Sequence, residues 1–309
     1  MEKKIELQTD SELPSKPQCV PMKILVLGAT GLLGNTIFRA LSQSGDYEVS
    51  GTTRNLDVDK YFTPRLASRL IVVKDLADVM QLTNILEQVK PAVVINCVAL
   101  SRTEQQKPSR LIALFSLLPH RLHHLCVERS IRLIQIGSDG VFNGKRGGYT
   151  EADMPDAEDP YGVAKILGEV DGPGALTLRT SMVGPELASQ GGLLSWFLRQ
   201  ENECRCYTRS IFSGLPTVVL ARIVHDIVLP NDALQGVYHV AAAPISKYDL
   251  LSLIRHQYGK KIEMIPDESV VIDRSLSAER FRFVTGYEPP SWEDMVETMH
   301  AFKFGLRTN

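Results

Sequence analysis

The 309-residue sequence lacks long apolar runs and lacks an excess of charge of either sign. No stretch stays apolar for the ~18–20 residues that a membrane-spanning helix requires. The 34 basic residues nearly balance the 36 acidic ones, which leaves a formal net charge of -2. Such a balance gives no positive field to attract nucleic acid or an anionic membrane surface. We therefore expect neither a nucleic acid nor a membrane as a partner.

Cysteines are also few, and no secretory signal is recognisable. The N-terminal segment, MEKKIELQTDSELPSKPQ, contains charged residues but lacks the apolar region of a signal peptide. We expect residues 1–20 to form a flexible tail, with a docking strand as the alternative. The five cysteines are odd in number and scattered, and only Cys204 and Cys206 lie close, without a second pair to complete a metal site. This usage predicts free thiols in a reducing cytoplasm and no bound metal.

Apolar segments alternate with helical patterns through the first 184 residues. MKILVLG (22–28) is a continuous apolar run that ends in glycine, as in a strand buried on both faces. Such alternation indicates βαβ units and a parallel, doubly wound sheet. We predict an α/β fold with a Rossmann domain over residues 21–184. The further strands predicted there cover residues 47–54, 69–76, 91–99, 131–138 and 175–184.

The pattern changes after residue 184. GLPTVVLARIVHDIVLP (214–230) predicts a turn and a long amphipathic helix, and GVYHVAA (236–242) a short strand. That strand could rejoin the main sheet, so we expect residues 215–245 to return to the first domain. We expect residues 185–309 to form mainly a smaller α/β lobe that binds the substrate.

GATGLLG (28–34) follows the first predicted strand and precedes a helix. Glycines at 28, 31 and 34 permit a tight turn and let backbone amides approach a pyrophosphate at the helix N-terminus. A turn without a ligand is the alternative, but this position in a βαβ array favours dinucleotide binding. The predicted cofactor-binding residues of this loop are Gly28, Thr30, Gly31, Leu32, Leu33 and Gly34.

The end of the second strand helps to predict which dinucleotide binds. An acid there usually holds the adenosine ribose of NAD, but SGTTRN (50–55) has none and places Arg54 there instead. A cation suits the 2′-phosphate of NADP, so we predict NADPH as the cofactor, with NADH as the alternative. Asp75, followed by Leu76, ends the third strand, where it either meets the adenine amino group or caps a helix.

EDPYGVAKILGEV (158–170) places Tyr161 and Lys165 four residues apart. Asp159 and Pro160 suit the cap and first position of a helix, so both side chains would lie on one face. A phenol ionises near pH ~10 and is a poor acid–base group until nearby positive charge lowers its pKa. Ser138, at the end of the fifth predicted strand, can donate a hydrogen bond to a substrate oxygen. We predict Ser138, Tyr161 and Lys165 as catalytic residues.

These motifs together resemble the extended short-chain dehydrogenase/reductase superfamily, and within it the dTDP-4-dehydrorhamnose reductase family. The family carries S-T-D-Y-V-F-x-G, then G-x-Y-x-E-x-D, then P-x-x-x-Y-G-x-x-K, and residues 137–165 read GSDGVFNGKRGGYTEADMPDAEDPYGVAK. The resemblance implies hydride transfer from a reduced nicotinamide to a keto carbon of a nucleotide-linked sugar, with Tyr161 as proton donor. It also allows a homodimer.

The resemblance implies further site residues. NCVA (96–99) matches a family segment, so Cys97, Val98 and Ala99 are predicted to contact the cofactor together with Tyr161 and Lys165. For Asp139, Val141 and Phe142 the choice is between a wall of the sugar site and core packing. For Arg209 and Arg274 it is between holding a nucleotide diphosphate and remaining in solvent.

Gly140 departs from the family pattern, which has tyrosine at that place. The departure leaves open which substrate is used. Two alternative functions also remain, and Gly140 keeps the second of them open. One is an NAD-dependent nucleotide-sugar epimerase; a dehydratase is disfavoured, because Ser138-Asp139-Gly140 lacks the glutamate typical of dehydratases. The other is a non-catalytic, NADP-binding regulatory subunit, since the beta subunit of methionine adenosyltransferase resembles the same family.

Overall fold

A computed structural model of the chain describes residues 21–54, 57–187 and 191–302, so the predicted tail and Cys19 lie outside the described residues. The strands it describes range from two to seven residues. In chain order they are β1 (Met22–Leu27), β2 (Tyr47–Thr53), β3 (Leu70–Val72), β4 (Val93–Asn96), β5 (Arg132–Ile136), β6 (Ala175–Arg179), β7 (Met182–Val183), β8 (Glu203–Tyr207), β9 (Ser210–Phe212), β10 (Leu215–Pro216), β11 (Gly236–His239), β12 (Ile245–Ser246), β13 (Glu263–Asp267) and β14 (Ile272–Asp273).

One or more helices separate each pair of consecutive strands from β1 to β6, whereas several of the later strands follow one another directly. Two of the helices continue through π-helical turns, at Ile112–Leu117 and at Val224–Val228, and a 3₁₀ turn covers Asp139–Val141. The α-helices are α1 (Leu32–Ser44), α2 (Pro64–Ala67), α3 (Val79–Val89), α4 (Arg102–Gln105), α5 (Pro108–Leu111), α6 (Leu118–Glu128), α7 (Pro160–Leu167), α8 (Leu193–Arg199), α9 (Thr217–Ile223), α10 (Lys247–Gln257), α11 (Glu279–Thr285) and α12 (Trp292–Ala301).

Seven strands form the central sheet, in the order β11-β6-β5-β4-β1-β2-β3, and every neighbouring pair is parallel. The predicted doubly wound α/β fold is thereby confirmed. The order in which the chain adds strands to the sheet reverses at β1: β2 and β3 lie on one side of it, and β4, β5 and β6 lie on the other. In open α/β sheets the crevice at such a reversal, beyond the carboxyl ends of the strands, is where ligands bind.

Side chains of β1 alternate between two cores. Ile24 and Val26 pack with residues of α1 and α9, whereas Leu25 and Leu27 pack with residues of α3 and α6. All four are fully buried, and each contributes roughly 1.5–3 kcal/mol of hydrophobic stabilisation. Because both faces of β1 are buried, its sequence is an uninterrupted apolar run. The same packing fixes the position of the turn that follows β1 at the crevice.

The segment from 214 onward contributes one strand to the central sheet and several strands outside it. The predicted helix starts as α9 and continues through the π-helical turn at Val224–Val228. Most of α9 is buried against α1, with a buried hydrogen bond between the Thr36 and Thr217 hydroxyls, whereas Arg222 and Asp226 are exposed. Next, β11 pairs with β6 and extends the central sheet. Outside the central sheet, the described residues include two smaller sheets, the pair β13-β8 and the three-stranded β12-β9-β14. Within the described ranges no helix is long and apolar enough to cross a membrane.

Candidate active site

The glycine loop joins β1 to α1 through close backbone contacts. Gly28 adopts φ +76°, and its N–H donates to the Thr52 hydroxyl at 2.9 Å. A Cβ on Gly28 would lie 3.0 Å from the Cys97 carbonyl oxygen, and a Cβ on Gly34 would collide with the Gly28 carbonyl. Only glycine therefore fits at positions 28 and 34 in this conformation.

Helix α1 begins just after Gly31, and within the described residues neither a side-chain cap nor an acidic residue of its first turn competes for the first amides. Such an N-terminus offers N–H groups and the positive end of the helix dipole to an anion. Thr30 and Leu32 are half-buried beside it, whereas Leu33 belongs to the core. The loop thus fits a dinucleotide pyrophosphate.

Arg54 and Asp75 lie at the ends of β2 and β3, and each carries an ion pair. Arg54 Nη1 donates to Glu104 Oε1 at 2.6 Å, a partner that the sequence did not indicate. Asp75 accepts from the Ala77 N–H at 3.2 Å and pairs with Arg110 at 3.4 Å. The capping alternative for Asp75 is wrong, because Asp78 caps α3 through the Met80 N–H. Leu76, beside Asp75, is half-buried.

The residues after β4 form the other side of the crevice. The Asn96 side chain accepts from the Val98 N–H at 3.2 Å and donates to Gln135 at 2.8 Å, which holds the turn. Burial raises the pKa of the Cys97 thiol to about 12, so this thiol stays protonated and packs beneath the glycine loop. Val98 is half-buried and Ala99 exposed.

The three predicted catalytic residues lie close together at the end of β5. Asp159 caps α7 by accepting from the Gly162 N–H at 3.0 Å, which places Tyr161 in the first turn. The Tyr161 hydroxyl donates to the Ser138 hydroxyl oxygen at 3.3 Å. One turn later, Lys165 Nζ donates to the Ile136 carbonyl at 3.1 Å.

Phe115 contacts both Tyr161 and Lys165 of α7. Its ring meets the Tyr161 ring edge-on at 5.6 Å, and the Lys165 ammonium lies 4.9 Å from its centroid. Burial raises the pKa of Tyr161, although the Ser138 hydrogen bond opposes the rise. The protein alone therefore does not lower this pKa in the way the Tyr–Lys spacing predicts. Burial also lowers the pKa of Lys165 to about 8.

Gly140 makes the approach of Tyr161 to Ser138 sterically possible. A Cβ at this position would lie 2.8 Å from Tyr161 Cε1 and 3.1 Å from Ser138 Oγ. The Gly140 N–H also donates to Ser138 Oγ at 3.0 Å. A residue with a side chain would therefore displace the phenol, so the departure from the family pattern has a direct consequence for Tyr161.

A cavity of about 440 Å³ lies between the end of the central sheet and the two smaller sheets. Its lining combines cations, aromatic rings and one acid from the catalytic loop, namely Arg205, Lys247, Arg274, Trp196, Tyr207 and Asp139. Asp139 connects the cavity with the catalytic residues, because Ser138 Oγ donates to its Oδ1 at 3.4 Å. Burial raises the pKa of Asp139.

Not every predicted substrate residue borders this cavity. Arg274 does, and its Nη2 lies 3.5 Å from Asp159. Arg209 is exposed and lies outside the lining described for the cavity. Val141 and Phe142 are fully buried, and Phe142 stacks on Tyr149 at 4.1 Å, so we assign them to core packing.

Arg205 and Lys247 border the cavity although the sequence did not single them out. In β8 burial alternates, so Arg205 lies on the face opposite Cys204 and Cys206, but Cys206 also borders the cavity, so the sequence carried no signal that singled out Arg205. Cys97, Cys126, Cys204 and Cys206 are free and buried. In the described part of the chain, no group of three His, Cys, Asp or Glu residues could hold a metal ion.

Sequence comparison finds curated proteins of two kinds that are similar to this chain. A probable low-salt glycan biosynthesis reductase, Agl14, of Haloferax volcanii is 31% identical over 169 residues, which cover 52% of this chain and only about half (54%) of that relative. Methionine adenosyltransferase 2 subunit beta of Danio rerio is 26% identical over 251 residues, 77% of this chain and 74% of the relative.

The fold comparison agrees with the sequence comparison. The solved dTDP-4-dehydrorhamnose reductase of Bacillus anthracis in complex with NADP has a TM-score of 0.76 at 18% identity, and the match covers 92% of this chain and 99% of that one. The model of the RmlD substrate binding domain family matches residues 22–302. Together with the motifs, this match shows that the chain belongs to the RmlD substrate binding domain family.

Proposed function

We propose that the protein is an NADPH-dependent reductase of a nucleotide-linked 4-keto-6-deoxy sugar. The observation that carries this proposal is the grouping of Ser138, Tyr161 and Lys165 between the glycine loop and the cationic cavity. One side offers a dinucleotide site and the other a site for an anionic substrate. A keto carbon bound between them would meet a hydride donor and a proton donor together.

The chain's own residues fit the cofactor. The amides at the start of α1 would hold the pyrophosphate, and Arg54 the 2′-phosphate. Lys165 would reach the nicotinamide ribose, and Cys97 to Ala99 would line the crevice. When bound, reduced nicotinamide supplies the hydride.

Proton delivery is the task of Tyr161. Its raised pKa keeps the phenol protonated at neutral pH, as an acid must be before it donates. Ser138 Oγ lies 3.3 Å from the phenol oxygen, so one substrate oxygen can accept from both hydroxyls. Tyr161 then gives its proton to the forming alkoxide, while Ser138 orients the carbonyl.

The cavity suits the nucleotide part of the substrate. Arg205, Lys247 and Arg274 supply positive charge for a diphosphate, and Arg274 Nε is buried without a hydrogen-bond partner among the described residues. Trp196 and Tyr207 offer aromatic surface to a base. Asp139 stands at the end of the cavity nearest the catalytic hydroxyls.

A second candidate is an NADP-binding regulatory subunit. Gly140 favours it, because the family's tyrosine is missing beside the catalytic serine, and so does the similarity to the Danio rerio beta subunit. The intact Ser138, Tyr161 and Lys165 argue for the reductase instead.

The experiment that separates the two candidates follows NADPH oxidation with a panel of nucleotide-linked 4-keto sugars. The reductase proposal expects oxidation with at least one sugar and its loss in Tyr161→Phe. NADPH binding without reduction of any sugar would favour the regulatory subunit. Full turnover in Tyr161→Phe would contradict the assigned proton donor.

A homodimer is also proposed. Ile112 and Leu117, on the helix that contacts α7, and Val163 and Leu167, on α7 itself, are exposed apolar side chains. Burial of such a surface against a second copy would remove apolar area from water. Sedimentation velocity of the wild type should show a dimer, and Leu167→Glu should shift it toward the monomer.

A further inference from the structure

Arg54 and Glu104 join the two sides of the cofactor crevice. Arg54 follows β2 directly, and Glu104 lies in α4, which follows β4. These two strands flank β1 on opposite sides, and the glycine loop starts where β1 ends. An ion pair between the two residues therefore connects the β2 side to the β4 side next to the glycine loop.

The pair is a two-pronged contact with an anchored carboxylate. Arg54 Nη1 reaches Oε1 at 2.6 Å and Nη2 reaches Oε2 at 3.4 Å. Ser101 donates two hydrogen bonds to Oε2 of Glu104, from its N–H at 3.2 Å and from its hydroxyl at 3.0 Å. The Ser101 side chain in turn accepts from the Glu104 N–H, so the two residues form a capping box. The Glu104 side chain is 22% exposed, whereas that of Arg54 is 57% exposed. The carboxylate is thus the fixed partner and the guanidinium the movable one.

NADPH and NADH would interact differently with the Arg54–Glu104 ion pair. A 2′-phosphate carries close to two negative charges at neutral pH, so binding it to Arg54 brings like charge toward the anchored carboxylate. A ribose 2′-hydroxyl is neutral and can donate a hydrogen bond to that same carboxylate. Glu104 therefore opposes the phosphorylated cofactor and tolerates the unphosphorylated one.

We propose that Glu104 is a cofactor-discriminating residue: it occupies Arg54 when no dinucleotide is bound, and it limits the preference for NADPH over NADH. The inference rests on the proposed function, which assigns the 2′-phosphate to Arg54. Arg54 alone would make the site strongly selective for the phosphorylated form. Because Glu104 pairs with Arg54, the guanidinium must leave a carboxylate before it can bind the 2′-phosphate. This exchange weakens NADPH binding, so NADH binding remains measurable beside it.

Glu104→Gln tests the inference directly. Glutamine keeps the length of the side chain and can still accept from Ser101 in a capping box, so the local fold is retained. Titration of the purified full chain with NADPH and with NADH gives two dissociation constants. Removal of one like charge within a few ångström should tighten NADPH binding roughly tenfold and leave NADH binding unchanged or weaker.

Two further variants make the test specific. Glu288→Gln removes the same charge from the exposed Arg282–Glu288 pair, at 3.0 Å, and should leave both dissociation constants unchanged. In an Arg54→Gln background, Glu104→Gln should raise the NADPH-to-NADH ratio by clearly less than the tenfold gain expected with Arg54 present, because the competition for the guanidinium is gone and only the direct repulsion between carboxylate and phosphate remains to be relieved.

The outcomes separate this inference from the proposed function. An unchanged ratio in Glu104→Gln, or the same tenfold gain in the Arg54→Gln background, would overturn the role of Glu104 and leave the reductase proposal intact. A wild type that binds neither dinucleotide would overturn both. Binding with the expected ratios but without reduction of any sugar would support the inference while contradicting the reductase.

Discussion

The glycine loop and the cationic cavity are assembled in contrasting ways. The loop is one continuous heptapeptide whose conformation depends on the glycines themselves and on the burial of β1. The cavity takes its lining from segments more than a hundred residues apart, from Asp139 through Arg205 to Arg274. A local motif therefore forms the first site, and packing of the two smaller sheets against the central sheet forms the second. Substitutions in the two regions should accordingly have separable effects.

The largest expected effect comes from Tyr161→Phe. Removal of the only hydroxyl assigned to proton donation should lower kcat roughly 10²–10⁴-fold, the usual contribution of a general acid. Binding of NADPH should persist, because the glycine loop is untouched. Steady-state kinetics combined with NADPH titration measures both. A large loss of NADPH affinity would show that the two regions are not separable at Tyr161.

Gly140→Ala should give the next largest effect. Its Cβ would lie 2.8 Å from the Tyr161 ring and force the phenol away from Ser138. We expect kcat to fall about 10–100-fold, since a displacement of about 1 Å can cost that much in rate. NADPH affinity should stay within about twofold of the wild type, since positioning and cofactor binding use different residues. Wild-type kcat would contradict the positioning role of Gly140.

Arg205→Gln tests the cavity side of the comparison. The loss of one charge-assisted contact to a diphosphate should raise KM for the sugar nucleotide roughly tenfold, with kcat and NADPH affinity unchanged. The matched control is Arg209→Gln, four residues away and outside the described lining. If the Arg209 variant raises KM and the Arg205 variant does not, the diphosphate lies where the sequence alone predicted it.

The smallest expected effect lies away from both regions, at His225. Its Nε2 contacts Asp46 at 3.0 Å and its Nδ1 contacts Asp226, so both ring nitrogens donate when the imidazole is charged. Burial alone would lower the pKa of His225, but the hydrogen bonds to Asp226 and Asp46 outweigh it and raise the pKa above its ordinary value.

A raised pKa in the folded state means that this stabilisation is complete below the unfolded-state value of about 6.5 and is lost as pH rises through the folded-state value. His225→Gln should lower the free energy of unfolding by less than about 1 kcal/mol at pH 6 and by almost nothing at pH 9. Denaturant melts at the two pH values measure this, and kinetics at both sites should be unchanged. A larger loss at pH 9 than at pH 6 would refute the charged state assigned to His225.

Much of the cofactor side was predictable, because its signals are local. The glycine spacing, the Asp159-Pro160 helix start and the Tyr161–Lys165 interval each depend on residues within one turn of one another. The burial of α9 was harder to predict, because an amphipathic sequence pattern does not reveal that α1 will cover most of the helix surface. Arg205 was missed for a similar reason: a strand pattern tells which residues share a face, but not what lies opposite.

By itself, the sequence determined the doubly wound α/β fold, the glycine loop and the placement of Tyr161 and Lys165 on one helix, since backbone conformation and burial pattern act over short stretches of chain. Tertiary structure alone decided which arginines border the cavity, that Glu104 pairs with Arg54, and that Gly140 makes room for Tyr161. These features depend on the distance between residues remote in sequence, and only the packing of helices and strands sets such distances.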